Sequence, residues 1–430
     1  MMGWEGYRLL SLLRNRGFAF LLGGQLLSLL APWSQRTAVL IWVYALTGSG
    51  VGVSLVGLAE ALPLLLLAPF AGVFVDRWDR SRTMATVVLV QAVALLPLLL
   101  VHDKAGFPII LIVTLLVNAA SQFFMPAAAA ALPTVVGQEA IGQANGLLQI
   151  SNSVVPVIAP GLTGLLFAAI GPRPLMLVII AFYLLSMPLL ACVPAPRPER
   201  ANGSKSSLFA EMAAGLRYVR RSRFLMSLIV FVFVALLGVG GLSVLDVVFV
   251  TRALHLRSED VGVLLSVTGV GQLLGGITIA LLSRWAAGRY HRILAAAVML
   301  NGIGTFIYAR TPTLPVAAAV LFFVGVGFPP IMVAFMTMIQ LAAENEYMGR
   351  VMSLVNTGMA VAIILSMTAS GTLTDLFGVR QVISAGGVIL VVAGVLGLFL
   401  IRSTPGPPAA PEQPVEARDE MLAAVGSASR

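Results

Sequence analysis

Leu62-Pro63-Leu64-Leu65-Leu66-Leu67-Ala68-Pro69-Phe70 runs for nine residues without one polar side chain, and Ile109 to Val117 is interrupted only by Thr114. A transmembrane strand alternates apolar and polar residues, so runs this continuous exclude a barrel. In hydrocarbon every backbone group must find a partner within its own segment, which leaves the helix. A spanning helix needs about 20 mostly apolar residues. Reading outward from these two runs finds twelve such segments: 18–46, 51–74, 84–101, 107–131, 144–170, 174–193, 224–250, 260–283, 291–309, 314–340, 350–373 and 381–401.

Composition agrees. The chain of 430 residues is 59% hydrophobic and only 10% charged, with mean hydropathy +0.97. Soluble domains are about a quarter charged, and no soluble core of this length could hide so much apolar surface. The expected fold is all-α and polytopic, with lipid as the solvent. The net charge of +9 does not point to nucleic acid, because the basic residues gather in short loops. With the N-terminus inside, twenty of the 27 Lys and Arg fall on the inner side and six outside (Lys104, Arg173, Arg252, Arg257, Arg310, Arg380), with Arg36 within a span. That bias places both termini in the cytoplasm. Arg8, Arg14 and Arg16 precede an apolar run too long for a signal peptide, so the first segment should stay as a membrane helix. Cys192 is the single cysteine and no Cys/His spacing suggests a metal, so neither a metal nor a cofactor is expected.

The longest polar stretch divides the chain. The expected organisation is a six-helix half over 1–193, a linker over 194–223, a second half over 224–402 and a disordered tail over 403–430 rich in Pro and Ala. In the linker, Leu208, Met212, Leu216 and Val219 recur at helical spacing beside Arg217, Arg220 and Arg221. This reads either as an amphipathic helix on the inner leaflet or as a short soluble connector. The halves echo one another: Ala131 to Leu147 aligns without gaps on Met338 to Leu354, matching Glu139 with Glu346, Gly142 with Gly349 and Leu147 with Leu354.

Between the second and third segments stands Gly72-Val-Phe-Val-Asp76-Arg77-Trp-Asp79-Arg80-Ser-Arg82. Gly72 allows helices to approach, Asp76 can cap the next helix, and Arg77, Arg80 and Arg82 hold the loop inside. The motif resembles the major facilitator signature G-x-x-x-D-R-x-G-R-R, with Asp79 in place of the second glycine. In that family the acid helps latch the two halves on the cytoplasmic side. The second-half copy has Ala280 at the acid's position after Gly276, so any latch would be asymmetric. Ala159-Pro160-Gly161-Leu162-Thr163-Gly164 is similar to the G-P-x-x-G-G element of the superfamily's exporters, though a bare packing role fits it too. Phe123-Phe124-x-Pro126-Ala127, Leu132-Pro133, Ala144-Asn145 and Met348-Gly349-Arg350-Val351 resemble the macrolide-efflux and siderophore-exporter branch. The resemblance spans all twelve segments and implies a secondary transporter, although no Arg lies between 107 and 131, where drug–proton antiporters often carry one.

Polar residues within spans are costly and usually face a cavity. Gln25, Ser28, Pro32 and Arg36 share one face of the first segment. Further cavity candidates are Asn118 and Gln122 in the fourth, Asn145, Gln149 and Asn152 in the fifth, Gln272 in the eighth and Asn356 in the eleventh; for any single one of these, hydrogen bonding between helices is the better explanation. Glu60 and Arg36 fall at similar depth, roughly 13–15 Å from the outer boundary, which makes an ion pair plausible. Glu60 then reads either as a proton-coupling or cation site tuned by Arg36, or as half of a permanent structural pair. Asp246, near the outer end of the seventh segment, reads as a gate or cap.

These readings converge on a monomeric exporter of small amphipathic molecules (drug, macrolide or siderophore class) in a bacterial inner membrane. It would exchange substrate for protons by alternating access, since no phosphate-binding loop is present. A lipid flippase or uptake permease on the same fold, or a receptor or scaffold that transports nothing, are the alternatives. No nucleophile–base pair or metal cluster suggests an enzyme.

Overall fold

A computed structural model describes residues 15–75, 78–137, 140–194, 216–286, 288–344 and 347–401, and these are helical with no strand. Twelve spans follow in order: α1 Arg16–Thr47, α2 Gly50–Val75, α3 Arg80–Leu95, α4 Phe107–Ser121 continued by Phe124–Val136, α5 Ile141–Ile170 and α6 Pro172–Ala191. The second six are α7 Arg223–Val239 continued by Leu242–Val248, α8 Val261–Leu281, α9 Tyr290–Tyr308, α10 Leu314–Ala342, α11 Met348–Phe377 and α12 Val379–Leu400. Eleven are long and apolar enough to cross a membrane on those grounds alone. The twelfth, α9, begins on polar Tyr290, His291 and Arg292, yet packs along α10 and α12 as the fold requires.

Local chemistry explains the irregularities that hydropathy missed. The fourth span breaks at Gln122–Phe123, where Pro126 has no N–H for the Gln122 carbonyl and its ring crowds that oxygen; the chain tightens to bonds from Gln122 N to Ala119 O and Phe123 N to Ala120 O. The seventh breaks at Gly240-Gly241. There Ser366 of α11 inserts its hydroxyl, accepting from Gly241 N at 2.9 Å and donating to Leu237 O at 2.9 Å. A polar side chain entering the ladder is a known cause of such breaks. The span then runs on through a π-helical turn, Phe249–Ala253. The third span ends in a 3-10 stretch, Leu96–Leu100, beginning before Pro97.

One correction concerns the loop motif. Asp79, not Asp76, caps α3, accepting from Arg82 N at 2.9 Å; a carboxylate there satisfies an orphan amide that the family's usual glycine could not. Asp76, Arg77, Glu139, Glu346, the tail and most of the linker lie outside the described residues. At the linker's described end Val219 is buried in the core of the second six helices, and Tyr218 stacks on Tyr347 with centroids 4.5 Å apart.

The two sets of six meet through α2 against α11 and α5 against α8. Small residues allow it. An ideal Cβ on Gly164 of α5 would stand 2.6 Å from the Glu259 carbonyl, and one on Gly262 of α8 would stand 2.7 Å from the Pro160 carbonyl. Gly161 faces Ser266 in the same seam. At the same end Asp375 of α11 accepts from Arg252 Nη1 (2.9 Å), Ser49 Oγ (3.0 Å) and the first amides of α2, Gly50 and Val51 (3.4 Å each). This is the arginine-poor end of the bundle. Toward the other end Asn145, Gln149 and Asn356 are exposed.

The arginines at the poor end are held by the fold. Arg173 donates to Val101 O, Arg310 to Ser384 Oγ, and Arg380 to the carbonyls of Ala309, Thr311 and Ala253. Arg173 and Arg380 secure carbonyls at segment ends, where intrahelical partners are lacking.

Candidate functional site

Between the halves lies a cavity of about 470 Å³, with walls from both sets of six helices. Its lining is mostly apolar, and the polar groups that reach it include Arg36 from α1, Asp246 from α7, Thr268 and Gln272 from α8, and Asn301 from α9. A pocket of this size with a few convergent polar groups has the usual form of a small-molecule site.

Arg36 stands on the wall between this cavity and a second one. Its Nε lies 3.2 Å from Glu60 Oε2, and Glu60 lines a pocket of about 200 Å³ bounded by α1 to α4. Gln35, Gln91, Thr114 and Asn118 also line that pocket. Gln91 donates to Val117 O, and Asn118 donates to Thr114 O at 2.9 Å. Gln35 Oε1 and Thr114 Oγ1 are buried without a hydrogen-bond partner among the described residues. Such atoms are costly unless water or a ligand reaches them, and the pocket is roomy enough for several waters.

On the other side Arg36 and Asp246 line the same central cavity. Asp246 is 5% exposed and accepts a hydrogen bond from Tyr308 of α9 at 2.8 Å. Its partner Tyr308 is the last residue of α9, and the seventh span ends with the π-helical turn at Ala253, so Asp246 lies toward the arginine-poor end of its span and also borders the central cavity. Arg36 therefore pairs with Glu60 of the first six helices and shares the central cavity with Asp246 of the second.

The other candidates divide into groups. Gln272 reaches the central cavity, and Asn118 the smaller pocket. Gln122, at the break in α4, donates to Asn118 O at 3.1 Å. Gln25, Asn145, Gln149 and Asn152 line a separate groove inside the first six helices. Ser28 is buried and donates to Gln25 O. Asn356 is exposed on α11. Pro160, Gly161 and Gly164 form the seam with α8. Gly72 lies in the last turns of α2, and Arg80 and Arg82 in the first turn of α3. Sequence reasoning did not single out Tyr308, Asn301 or Asp375 as site residues. Asn301 is buried, donates to Val324 O at 2.9 Å and borders the cavity.

Twelve helices in two sets of six around a central cavity define a secondary-transport bundle. The Major Facilitator Superfamily profile matches residues 17–367 and 232–428, and the chain belongs to that superfamily. It is 27% identical to the multidrug efflux pump Tap of Mycolicibacterium fortuitum, covering 83% of this chain and 88% of that one. It is 24% identical to macrolide efflux protein A of Streptococcus pyogenes, covering 87% and 93%. Among solved structures it resembles a bacterial homologue of the iron transporter ferroportin in an inward-facing state, with TM-score 0.72 at 18% identity, covering 90% and 99%. A nucleoside transporter, NupG, matches with TM-score 0.75 at 13% identity, covering 90% and 100%. The protein is a multi-pass membrane transporter of small molecules, not an enzyme.

Proposed function

We propose that this transporter exports small amphipathic molecules in exchange for protons, by alternating access of its two halves. It would sit in a bacterial inner membrane as a monomer, with both termini and the arginine-rich end in the cytoplasm. The observation that carries the coupling is Arg36, which pairs with Glu60 of one half and shares the central cavity with Asp246 of the other. When Glu60 or Asp246 takes a proton, the guanidinium is freed to favour the other acid. Since those acids belong to different halves, protonation alters the interaction between the halves and so biases one arrangement over another. Gln272, Thr268 and Asn301 would orient the polar part of a substrate whose apolar part meets walls such as Leu265 and Met367. The names of the efflux relatives favour outward export.

The test uses purified protein in vesicles, inserted with the arginine-rich end facing out and the lumen made acid. A panel of amphipathic dyes, ethidium among them, is offered outside. Acid-driven accumulation of at least one dye, lost in Glu60→Gln and Asp246→Asn, is expected. Accumulation that ignores the pH gradient, or no accumulation of any dye, would overturn the proposal.

A further inference from the structure

A groove of about 490 Å³ opens within the first six helices, between α1, the second part of α4 and α5. It shares no lining residue with the central cavity. One wall is made of carboxamides: Gln25 from α1, and Asn145, Gln149 and Asn152, which fall four and three apart on one face of α5. The facing wall is apolar, built from Met125, Leu132 and the alanines between them. Among the described residues no ionisable side chain lines the groove.

Two independent observations indicate that the amides serve a ligand. The first is Gln25. It is 3% exposed, and its Oε1 has no hydrogen-bond partner among the described residues. A buried acceptor left unmatched costs about 1–3 kcal/mol, a penalty that an incoming O–H or N–H removes. The second is the internal repeat. In the alignment that pairs Ala131 with Met338, Asn145 falls on Met352, Gln149 on Asn356 and Asn152 on Met359. Met352 and Met359 pack against the apolar core of their own half. The fold thus accepts methionine at two of these three positions, and packing alone does not demand amides in the first half.

We propose that this groove is a reception subsite for the uncharged, hydroxyl-rich headgroup of an amphiphile, with its apolar chain lying along the Met125–Leu132 wall. Carboxamides both donate and accept, as hydroxyls do. The absence of a counter-charge disfavours ionised headgroups, whose desolvation would go uncompensated. The volume falls within the range of small-molecule sites, about 300–1,000 Å³. The subsite rests on the export reading, since it would load substrate before the central cavity receives it.

The test is photo-crosslinking of the full chain in lipid nanodiscs, using an octyl glucoside that carries a diazirine in its chain, with the labelled peptides mapped by mass spectrometry. Labels should concentrate within 125–132 and 145–152 and be displaced by plain octyl glucoside, but not by octyl sulfate or octyltrimethylammonium. Asn145→Met with Asn152→Met, which borrows the other half's residues, should cut the labelling about tenfold, as expected for the loss of one or two hydrogen bonds. Gln25→Leu should do likewise without lowering the unfolding temperature. Labelling spread evenly over the lipid-facing surface, confined to the central cavity, or unchanged in the double variant would overturn the proposal; equal displacement by the charged amphiphiles would overturn the assigned chemistry. The assay needs no ion gradient. Capture without pH-driven export would sink the export reading alone, and export without groove labelling would sink the subsite alone.

Discussion

Replacing Asp375 with alanine should release the arginine-poor end. Its carboxylate bridges the halves, binding Arg252 of α7 and capping the start of α2 through Ser49 Oγ and the amides of Gly50 and Val51. The Arg252 pair is about one-third exposed on both sides, so it contributes no more than about 0.5–1 kcal/mol. The cap adds about 1 kcal/mol, the usual effect of an N-cap side chain, and its 3.4 Å amide contacts argue for no more. The Arg252 pair joins two helices of the second half and survives opening, whereas the cap joins α11 to α2 only while this end is closed, so a loss of about 1 kcal/mol falls on that state. The ratio of closed to open molecules should drop roughly 5-fold. Spin labels at Ala105 and Thr313, exposed residues in outer loops of opposite halves, report the separation by double electron–electron resonance. Asp375→Ala should move population to the longer distance, and Ser49→Ala should move less. An unchanged distribution in Asp375→Ala would refute the assignment of the latch.

Gly164→Val should open the same end further, because its new side chain meets the Glu259 backbone, which cannot rotate aside; wild-type distances would show that the seam is looser than described. Topology can be tested in a background lacking exposed Cys192: Lys104→Cys and Arg310→Cys should label from outside intact cells, and Arg289→Cys only after permeabilisation. The reverse pattern would invert the orientation. Glu60→Gln leaves Arg36 with one acid fewer. Arg36 is 32% exposed and still shares the central cavity with Asp246, so the loss of stability should be about 1–3 kcal/mol, below the value for a fully buried broken pair. Adding Arg36→Gln should recover most of it in thermal unfolding; no recovery would mean that the pair is not what holds this region.

Much of the architecture could be read from hydropathy, because lipid leaves few options for runs such as Leu62–Phe70. The similar depth of Arg36 and Glu60 was also legible, since helical rise alone sets it. What escaped depends on contacts between segments. The break at Gly240-Gly241 is fixed by Ser366, more than a hundred residues away, and the π-helical turn that follows Asp246 has no hydropathy signature. Tyr308 carries no signal of its own in the sequence, because its partner Asp246 is 62 residues away in the chain. Asp375 lay just past the expected end of α11, with Ser49-Gly50 just before α2. An acid and a helix start at the same depth was a usable signal, but it required knowing that α2 and α11 are neighbours.

The central claim is that substrate and protons move in opposite directions through a mechanism resting on Glu60, Arg36 and Asp246. The most direct measurement traps a pH-sensitive dye inside vesicles with no initial gradient and adds a transported substrate outside. Substrate entry should expel protons and turn the lumen alkaline, and Glu60→Gln or Asp246→Asn should abolish that response. Substrate entry with no proton movement, or with acidification of the lumen, would contradict the account.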